Sequence, residues 1–498
     1  MAKPRSRVKR AAVMLGILVL GFVLVLVVGA QTVPSRQPKV TPLAPSALAV
    51  DAEAVAAKLA AIVRRKTVSA SLDSPAPPAE LDGLRADLVA AFPKVHAALG
   101  VEVVGDHSLL YTWQGKDPSK NPIILCAHMD VVPVEPGTES AWTHPAFDGV
   151  IEGGFVWGRG TLDDKGSLVA ILAAVDALLE SGFVPARTVY LAFGHDEEIS
   201  GRKGAGAITL LLGSRGVHAE LALDEGSALV EGVVTAVAAP VAAIGIAEKG
   251  YVSVDLKVEI PGGHSSTPAR ETALSVLAEA TLRLQAEPMP ARIDGATAQF
   301  FAWMAPEMGF GSRLALANTW VTAPLVARML ARSPTLGASI RTTTAVTVFH
   351  AGVKDNVVPA AATATVNFRV LPGDTTSDVL GHVRRVVADD RVVATAQAGS
   401  RTEPSRVSRV ETRGFGLLAR TVREVFPEAV VAPSLVLGAT DGRYYSLVAD
   451  DVYRFFPFRL RPEDIKRIHG KDERIGVGTL ADGVRFYRRF MEEAARGD

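Results

Sequence analysis

Short apolar runs alternate with helical stretches beyond residue 100, and this alternation is the feature that most constrains the fold. Residues 123–126 and 188–193 are apolar runs of strand length, and residues 165–179 between them place Leu and Val on one helical face. Residues 220–223 give a further apolar run. Strands and helices that alternate in this way form a largely parallel sheet with helices on both faces. The sequence therefore predicts an α/β domain.

The pattern changes between residues 245 and 402. Polar and apolar residues alternate from 251 to 258, which predicts a half-buried strand. A long helical stretch then runs from residue 271 to about 331, and alternating strands at 342–349 and 362–370 precede a helix near 377–388. We predict that residues 245–402 are a second, α+β domain. It is inserted into the first domain, which comprises residues 49–244 and 403–498.

The first 30 residues combine a basic tail with an uncharged apolar stretch. Residues 1–10 contain five basic residues and no acidic one, and residues 11–30 carry no charge. A helix at ~1.5 Å per residue would cross the ~30 Å hydrocarbon core with these 20 residues. We predict a transmembrane anchor with the tail in the cytoplasm and the body on the other side. The proline-rich residues 31–48 would be a linker.

Two other interpretations of this stretch stay open. A signal peptide cleaved after the small residues Val28, Gly29 and Ala30 would leave the body secreted or periplasmic. The apolar run is longer than the ~7–15 residues usual in a signal peptide, which favours the retained anchor. A buried core helix is the third interpretation.

Charge and cysteine content exclude several classes of function. Lys and Arg together number 53, as do Asp and Glu, so no global field favours binding to nucleic acid. Cys126 is the only cysteine, which excludes an intramolecular disulfide framework and a zinc site made of several thiolates. We interpret Cys126 as a small buried strand residue. Any metal must be held by His, Asp and Glu.

Acidic and imidazole side chains recur at the ends of the predicted strands and at one helix start. The groups are His128 with Asp130, Asp163 with Asp164, Asp196 with Glu197 and Glu198, and Asp224 with Glu225. Successive groups are about one strand–helix unit apart, so they gather at the carboxyl edge of a parallel sheet, where open α/β sheets bind ligands. Carboxylates that converge there repel one another. One or two divalent cations would relieve that repulsion.

Longer motifs carry a family resemblance. Residues 127–133 (AHMDVVP), 157–166 (WGRGTLDDKG) and 195–198 (HDEE) resemble the dinuclear-zinc family of aminoacylases, acetylornithine deacetylases, glutamate carboxypeptidases and carboxypeptidase S. Residues 262–266 (GGHSS), 356–359 (NVVP) and 438–441 (GATD) resemble it too. The resemblance runs from about residue 50 to the C-terminus. It implies a zinc catalytic domain at 49–244 and 403–498 and a lid at 245–402.

The resemblance implies five ligands for two zinc ions, for which Co²⁺ or Mn²⁺ would be substitutes. Asp163 would bridge both ions, His128 and Asp224 would complete one, and Glu198 and His469 would complete the other. Imidazole and carboxylate ligands also suit Zn²⁺ on chemical grounds.

Further residues receive roles in catalysis by the same resemblance. Asp130 would hydrogen-bond His128 from behind and fix the imidazole. Glu197 would be the general base that takes a proton from the metal-activated water and passes it to the leaving amine. His264 would stabilise the tetrahedral oxyanion. We interpret His195 as structural.

The remaining residues that the resemblance identifies would bind the substrate. Asn356 and Arg369 would grip a free α-carboxylate, since a guanidinium binds carboxylates with two hydrogen bonds. Arg443 would add to that grip, or form an ordinary ion pair. The aromatic and Met residues between 300 and 310 would line an apolar acyl pocket, or form plain core.

The predicted function is hydrolysis of an amide bond next to a free carboxylate. The resemblance is strongest to the carboxypeptidase S branch, which includes N-fatty-acyl-amino-acid hydrolases. The substrate is therefore a small peptide, an N-acyl amino acid, or the substrate of another deacylase. A membrane-tethered binding protein without activity is a distant alternative. The long insert favours a monomer over a homodimer by analogy.

Overall fold

The computed structural model describes residues 4–496, beginning with helix α1 (Pro4–Thr32). Within Lys9–Thr32 of α1, the most apolar 18-residue stretch has a mean hydropathy of 3.1 and is not buried, so α1 is long and apolar enough to cross a membrane. The proline-rich segment that follows has no helix or strand before Pro45, and it lies against the body. Gln37 Nε2 donates to Val431 O at 2.8 Å, and Leu43 N donates to Glu424 O at 2.9 Å.

The body contains both helices and strands. The helices that follow α1 are α2 (Ala52–Val63), α3 (Pro78–Ala91), α4 (Pro93–Ala98), α5 (Lys165–Glu180), α6 (Ala205–Ser214), α7 (Ala273–Ala286), α8 (Gly295–Met304), α9 (Phe310–Ala317), α10 (Thr319–Leu330), α11 (Pro334–Ala338), α12 (Thr376–Val387), α13 (Arg413–Val425), α14 (Gly442–Tyr445), α15 (Pro462–Ile465) and α16 (Val477–Ala494). The strands are β1 (Gly100–Val104), β2 (Ser108–Trp113), β3 (Ile123–His128), β4 (Val150–Glu152), β5 (Phe155–Trp157), β6 (Val189–Gly194), β7 (Ala219–Val230), β8 (Val241–Glu248), β9 (Gly250–Glu259), β10 (Gly263–His264), β11 (Thr343–Ala351), β12 (Val357–Val358), β13 (Ala361–Val370), β14 (Val392–Ala396), β15 (Val430–Val436), β16 (Ala449–Leu460) and β17 (Arg474–Gly476).

The central sheet has the strand order β1-β2-β6-β3-β7-β16-β8-β15. Strands β6, β3, β7 and β16 are parallel to one another, β8 is parallel to β15, and β1 and β2 form an antiparallel edge. Every residue of β3 is buried, as in a parallel strand covered on both faces. The prediction of a mostly parallel α/β sheet is confirmed.

Helices cover both faces of this sheet, and strand alternation sorts the side chains between them. Leu125 packs into a core with α2, α5, α13 and α16, whereas the next residue, Cys126, packs with α6 and α14 on the opposite face. Successive strand residues point to opposite faces, which accounts for the division. Cys126 is buried, as its position in an apolar run predicts.

A second, antiparallel sheet has the order β11-β13-β9-β14. Helices α7 and α12 cover it, and their apolar residues share a core with those of β9 and β13. The alternating patterns at 251–258 and 362–370 correspond to β9 and β13. The two sheets meet at Glu248 and Gly250, because β8 belongs to the central sheet and β9 to the second.

The long helical stretch predicted from 271 to about 331 is broken into α7, α8, α9 and α10. Pro288 and Pro290 follow α7, and proline cannot donate the hydrogen bonds that would continue a helix. Helix α8 packs against β15 of the central sheet, and Trp303, Met304 and Met308 belong to its core. Part of the predicted insert therefore packs on the central sheet.

Candidate metal centre and active site

The chemically active side chains sit at one edge of the central sheet. His128 is the last residue of β3, and Asp163 lies in the turn that precedes α5. Glu197 and Glu198 form a short turn directly after β6, which runs parallel to β3. His469 comes from the loop between α15 and β17, far along the chain. Parallel strands bring these ends together, as the spacing predicted.

Asp163 uses a different carboxylate oxygen for each of two histidines. His128 Nε2 lies 2.9 Å from Asp163 Oδ1, and His469 Nε2 lies 2.9 Å from Asp163 Oδ2. His469 Nε2 is also 3.5 Å from Glu198 Oε2. A carboxylate whose two oxygens each contact a different histidine has the arrangement of a bridging ligand.

Glu225 supplies a candidate third donor beside His128 and Asp163. Ligand atoms of His128, Asp163 and Glu225 lie within 4.8 Å of one another, as do those of Asp163, Glu198 and His469. Asp224 is buried with Oδ2 unpartnered, on the face that carries Cys126. The assignment of Asp224 from the resemblance stays a prediction, and Glu225 is a second candidate for the same position.

Asp130 organises the loop that carries the acidic pair after β6. Its two carboxylate oxygens accept the backbone N–H groups of Glu197 at 3.1 Å and Glu198 at 3.3 Å. His128 Nδ1 donates to the Asp130 backbone carbonyl at 3.0 Å and lies 3.5 Å from its carboxylate. These bonds turn His128 Nε2 towards Asp163.

Burial, together with neighbouring charges, raises the pKa values of several carboxylates at the site. Burial raises the pKa of Glu197 well above its usual range, and the charges of Asp441 and Glu198 add to this effect. Burial and the charge of Asp163 do the same to the pKa of Glu225. Hydrogen bonds to Asp163 and Glu198 raise the pKa of His469 to about 10. Such mutual repulsion fits a pocket that cations neutralise, and His nitrogens with carboxylate oxygens are the ligands that Zn²⁺ prefers.

Glu473 is a functional residue that the sequence did not reveal. Its Oε1 accepts the backbone N–H groups of Gly160, Leu162 and Asp163 at 2.9–3.2 Å, and so it shapes the turn that presents Asp163. An acidic residue near the C-terminus has no local motif that would mark this contact. His469 adopts a left-handed backbone with φ of 59°, a conformation that non-glycine residues reach only under tertiary restraint.

Two cavities that share lining residues lie at Asp163. One, of about 420 Å³ and called the polar cavity for its carboxylates, includes Glu197, Glu198 and His469. The other, also of about 420 Å³, is mostly apolar and extends past Phe300 and Phe301 towards Leu336. Both include Asp163, Glu225 and the residues 226–227. Of the aromatic and Met residues between 300 and 310, Phe300 and Phe301 line the cavity.

The residues expected to bind the substrate lie on the second sheet and beside the acidic loop. His264 on β10 pairs with Val357, next to Asn356, and Ser266 N donates to His264 Nδ1 at 3.1 Å. The proton of a neutral His264 is therefore on Nε2, where it can be donated. Arg369 stacks over the Tyr251 ring at 4.9 Å.

None of His264, Asn356 and Arg369 lines the two cavities at Asp163 among the described residues. Arg443 is closer to the acidic loop after β6, since its Nη2 donates to Ser200 O at 2.6 Å, two residues beyond Glu198. His195 is buried and its Nδ1 lies 2.6 Å from Ser108 Oγ, which agrees with a structural role.

Comparison with known families shows which family the chain belongs to. Residues 124–493 match Peptidase family M20/M25/M40. The chain belongs to this family. The M20 match makes it a metal-dependent hydrolase that acts on amide bonds, of the peptidase or aminoacylase kind. It also places the chain among the carboxypeptidase S and N-fatty-acyl-amino-acid hydrolase relatives that the motifs indicated.

Two curated relatives and one solved structure show how similar this chain is to known proteins. The chain is 39% identical over 487 residues to "Probable carboxypeptidase S-like 2" of Dictyostelium discoideum, covering 96% of this chain and 93% of that protein. It is 41% identical over 408 residues to "N-fatty-acyl-amino acid synthase/hydrolase PM20D1" of Mus musculus, with 81% and 80% covered. An M20 metallo-carboxypeptidase of Sulfolobus solfataricus shares the fold, with a TM-score of 0.63, 18% identity and coverage of 88% and 98%.

Proposed function

We propose that this M20 enzyme hydrolyses N-acyl amino acids that carry a long apolar acyl chain. The observation that carries the proposal is the apolar cavity that begins at Asp163 and Glu225 and continues past Phe300 and Phe301. Its volume of about 420 Å³ lies within the roughly 300–1,000 Å³ of small-molecule sites. An amide bond held at Asp163 can extend its acyl chain into this cavity.

Two zinc ions are proposed as the cofactor. His128, Asp163 and Glu225 would hold one ion, and Asp163, Glu198 and His469 would hold the other. A bound ion of this kind polarises a carbonyl oxygen and lowers the pKa of water. Co²⁺ and Mn²⁺ accept the same ligands and are the proposed substitutes.

The chain's own residues carry the proton transfers. Glu197 lines the polar cavity beside Asp163 and Glu198, so its carboxylate can accept a proton from the attacking water and return it to the leaving amine nitrogen. Asp130 keeps Glu197 in position through the backbone N–H of that residue. His264, with its proton on Nε2, is the proposed donor to the oxyanion, and Asn356, Arg369 and Arg443 are the proposed carboxylate-binding residues.

The second candidate function is that of a dipeptide carboxypeptidase. The relative in Dictyostelium discoideum favours it by its name, and the polar cavity next to Asp163 accommodates a short, polar substrate. The apolar cavity would then be filled by a large apolar side chain. Both functions require the same ions, the same base and a free carboxylate.

A substrate panel separates the two candidates. N-dodecanoyl amino acids are compared with N-acetyl amino acids and dipeptides that end in the same residue, all with the zinc-loaded full chain. We expect the dodecanoyl substrates to give the highest kcat/KM. Replacing Ala243, which lines the apolar cavity, in an Ala243→Phe variant should lower kcat/KM for the dodecanoyl substrate at least tenfold and leave the acetyl substrate unchanged. Preference for dipeptides, with no effect of the variant, would establish the second candidate.

A Glu197→Gln variant tests the role of Glu197 as the general base. The amide keeps the size of the side chain but cannot accept a proton, so we expect a loss of kcat of at least a hundredfold with both ions still bound. Metal content measured on the same sample separates loss of the base from loss of the ions. Equal and negligible turnover of every substrate by the parent chain would favour the non-catalytic binding protein.

The cellular arrangement is proposed with the function. Helix α1 is the proposed membrane anchor, with the catalytic body outside the cytoplasm.

A monomer is the proposed oligomeric state. His264, Asn356 and Arg369 then reach the cavity by movement of the second sheet, whereas in a homodimer a second copy would supply them. Sedimentation velocity of the detergent-solubilised chain decides between the two states.

A further inference from the structure

Helix α9 runs back along α1 in the antiparallel direction. Just beyond the end of α1, Ser35 Oγ donates to Glu307 Oε1 at 2.6 Å, three residues before α9 begins. At the other end of α9, Asn318 Nδ2 donates to Leu26 O within α1 at 3.0 Å. The turn between α9 and α10 therefore lies beside Leu26, inside α1 rather than at its C-terminal end.

The contact at that turn is close and specific. Asn318 is only 2% exposed, and a Cβ added to Gly29 would lie 3.0 Å from its Oδ1. The Trp320 ring at the start of α10 meets the Phe22 ring edge-on, with centroids 6.1 Å apart. A small residue that permits close approach and an amide that bonds the facing backbone are features of helix contacts within membranes.

The depth of this turn follows from helix geometry. Phe22 precedes the end of α1 by ten residues, or ~15 Å at ~1.5 Å per residue, and the hydrocarbon core is ~30 Å thick. If α1 crosses the membrane, Trp320 therefore lies inside the outer half of the hydrocarbon core. Helices α9 and α10 have 8 and 12 residues, or ~12 Å and ~18 Å, which matches a hairpin that dips to this depth.

Helix α10 presents an apolar face that nothing in the described chain covers. Trp320 is 67% exposed, Leu325 59% and Met329 60%, and Val326 alone is buried on this helix. Soluble proteins rarely leave a contiguous apolar surface of this kind in water. The face continues directly from the exposed apolar surface of α1, so one apolar medium can cover both.

The charges within the hairpin and up to residue 354 have one sign. Residues 308–354 contain no Asp or Glu, although they contain Arg313, Arg328, Arg332, Arg341 and Lys354. Arg328 is exposed and lies eight residues beyond Trp320, or ~12 Å along α10, at the depth of the lipid headgroups. Basic side chains at that depth attract anionic headgroups, and no carboxylate has to leave water.

We propose that the α9–α10 hairpin enters the outer leaflet of the membrane beside α1, with the bilayer covering the exposed face of α10. Its backbone is helical, and its one turn residue, Asn318, is buried against α1, as membrane burial requires. Thr335 and Leu336, which follow α10, also line the apolar cavity. An acyl substrate dissolved in the leaflet therefore reaches the cavity from the membrane side. This last step, unlike the insertion itself, rests on the proposed function.

Brominated lipids test the insertion. The full chain, with α1 verified by mass, is reconstituted into vesicles of phosphatidylcholine and phosphatidylglycerol whose acyl chains carry bromine, which quenches tryptophan fluorescence on contact. We expect strong quenching in the parent chain and its loss in Trp320→Phe. Trp157→Phe is the matched control, since Trp157 lies on β5 of the catalytic body, and it should remain quenched like the parent. Unquenched Trp320 fluorescence would overturn the proposal.

A second variant separates insertion from catalysis. Replacing the exposed Leu325 and Met329 in a Leu325→Glu, Met329→Glu double variant should abolish the Trp320 quenching. It should leave hydrolysis of a soluble N-acetyl amino acid unchanged, because neither residue lines a cavity at Asp163. Hydrolysis of a vesicle-dissolved dodecanoyl substrate should fall at least tenfold. Quenching without any dodecanoyl hydrolysis would reject the substrate and keep the insertion. A dimer without quenching would assign the face to a second copy.

Discussion

Arg159 Nη1 lies 2.6 Å from Glu473 Oε2, and this ion pair is at most 2% exposed on either side. Arg159 Nη2 also donates to His469 O at 3.2 Å, and Glu473 accepts the N–H of Asp163. This buried pair thus connects the loops of Asp163 and His469, two proposed ligands that are some three hundred residues apart in the chain.

Breaking this pair should destabilise the fold and the metal site together. A Glu473→Gln variant leaves the Arg159 charge buried without a partner, which costs about 3–5 kcal/mol in comparable cases. We expect a free energy of unfolding lower by about that amount, and loss of at least one ion per chain. Urea unfolding in detergent and metal analysis measure the two effects. Glu102→Gln is the control, because Glu102 pairs with Arg215 at the exposed surface and such pairs contribute only about 0–1 kcal/mol. Equal effects of the two variants would disprove the role of Glu473.

The adjacent pair Asp224 and Glu225 allows a matched test of the ligand set. Glu225→Gln should remove one of the two ions, because the carboxylate of Glu225 lies within 4.8 Å of the ligand atoms of His128 and Asp163. Asp224→Asn should leave two ions bound. Metal-to-protein ratios after dialysis at a fixed free zinc concentration give the answer. The reverse result, with the ion lost in Asp224→Asn, would support the assignment made from the family resemblance.

Asp130→Asn should weaken the site without removing a ligand. An amide can accept only one of the two backbone N–H bonds that Asp130 now accepts from Glu197 and Glu198. Loss of a carboxylate that orients ligands typically costs ~10–100-fold in metal affinity or activity. Zinc titration and kcat measured at saturating zinc report the two quantities separately. Parent values in both measurements would show that Asp130 does not position these residues.

Removal of the metal should abolish activity and lower stability without unfolding the chain. A cation that binds only the folded state stabilises it by RT ln(1 + [L]/Kd), about 4 kcal/mol at a thousandfold excess over Kd. We expect chelation to lower Tm and added zinc to restore both Tm and turnover. Glu197→Gln keeps the ligands and should show the same Tm shift with no turnover. An active, metal-free sample would refute the mechanism.

Local patterns predicted most of the secondary structure because they depend on neighbouring residues alone. The apolar runs at 123–126 and 188–193 became β3 and β6, and the alternation at 251–258 became β9. The break of the long helical stretch was not foreseen, although Pro288 and Pro290 mark it. Its packing on the central sheet depends on contacts that no local pattern records.

The sequence by itself determined the parallel sheet, the family and the gathering of His128, Asp163 and Glu198 at one edge, because these residues lie at strand ends or a helix start about one strand–helix unit apart. Only the tertiary structure decided that Glu225 faces Asp163, since the orientation of a strand residue depends on which face the surrounding helices cover. It also decided that Glu473 supports the Asp163 turn, because that contact joins residues that are distant in the chain. Contacts between distant segments are set by the folded geometry, and a motif records only neighbours.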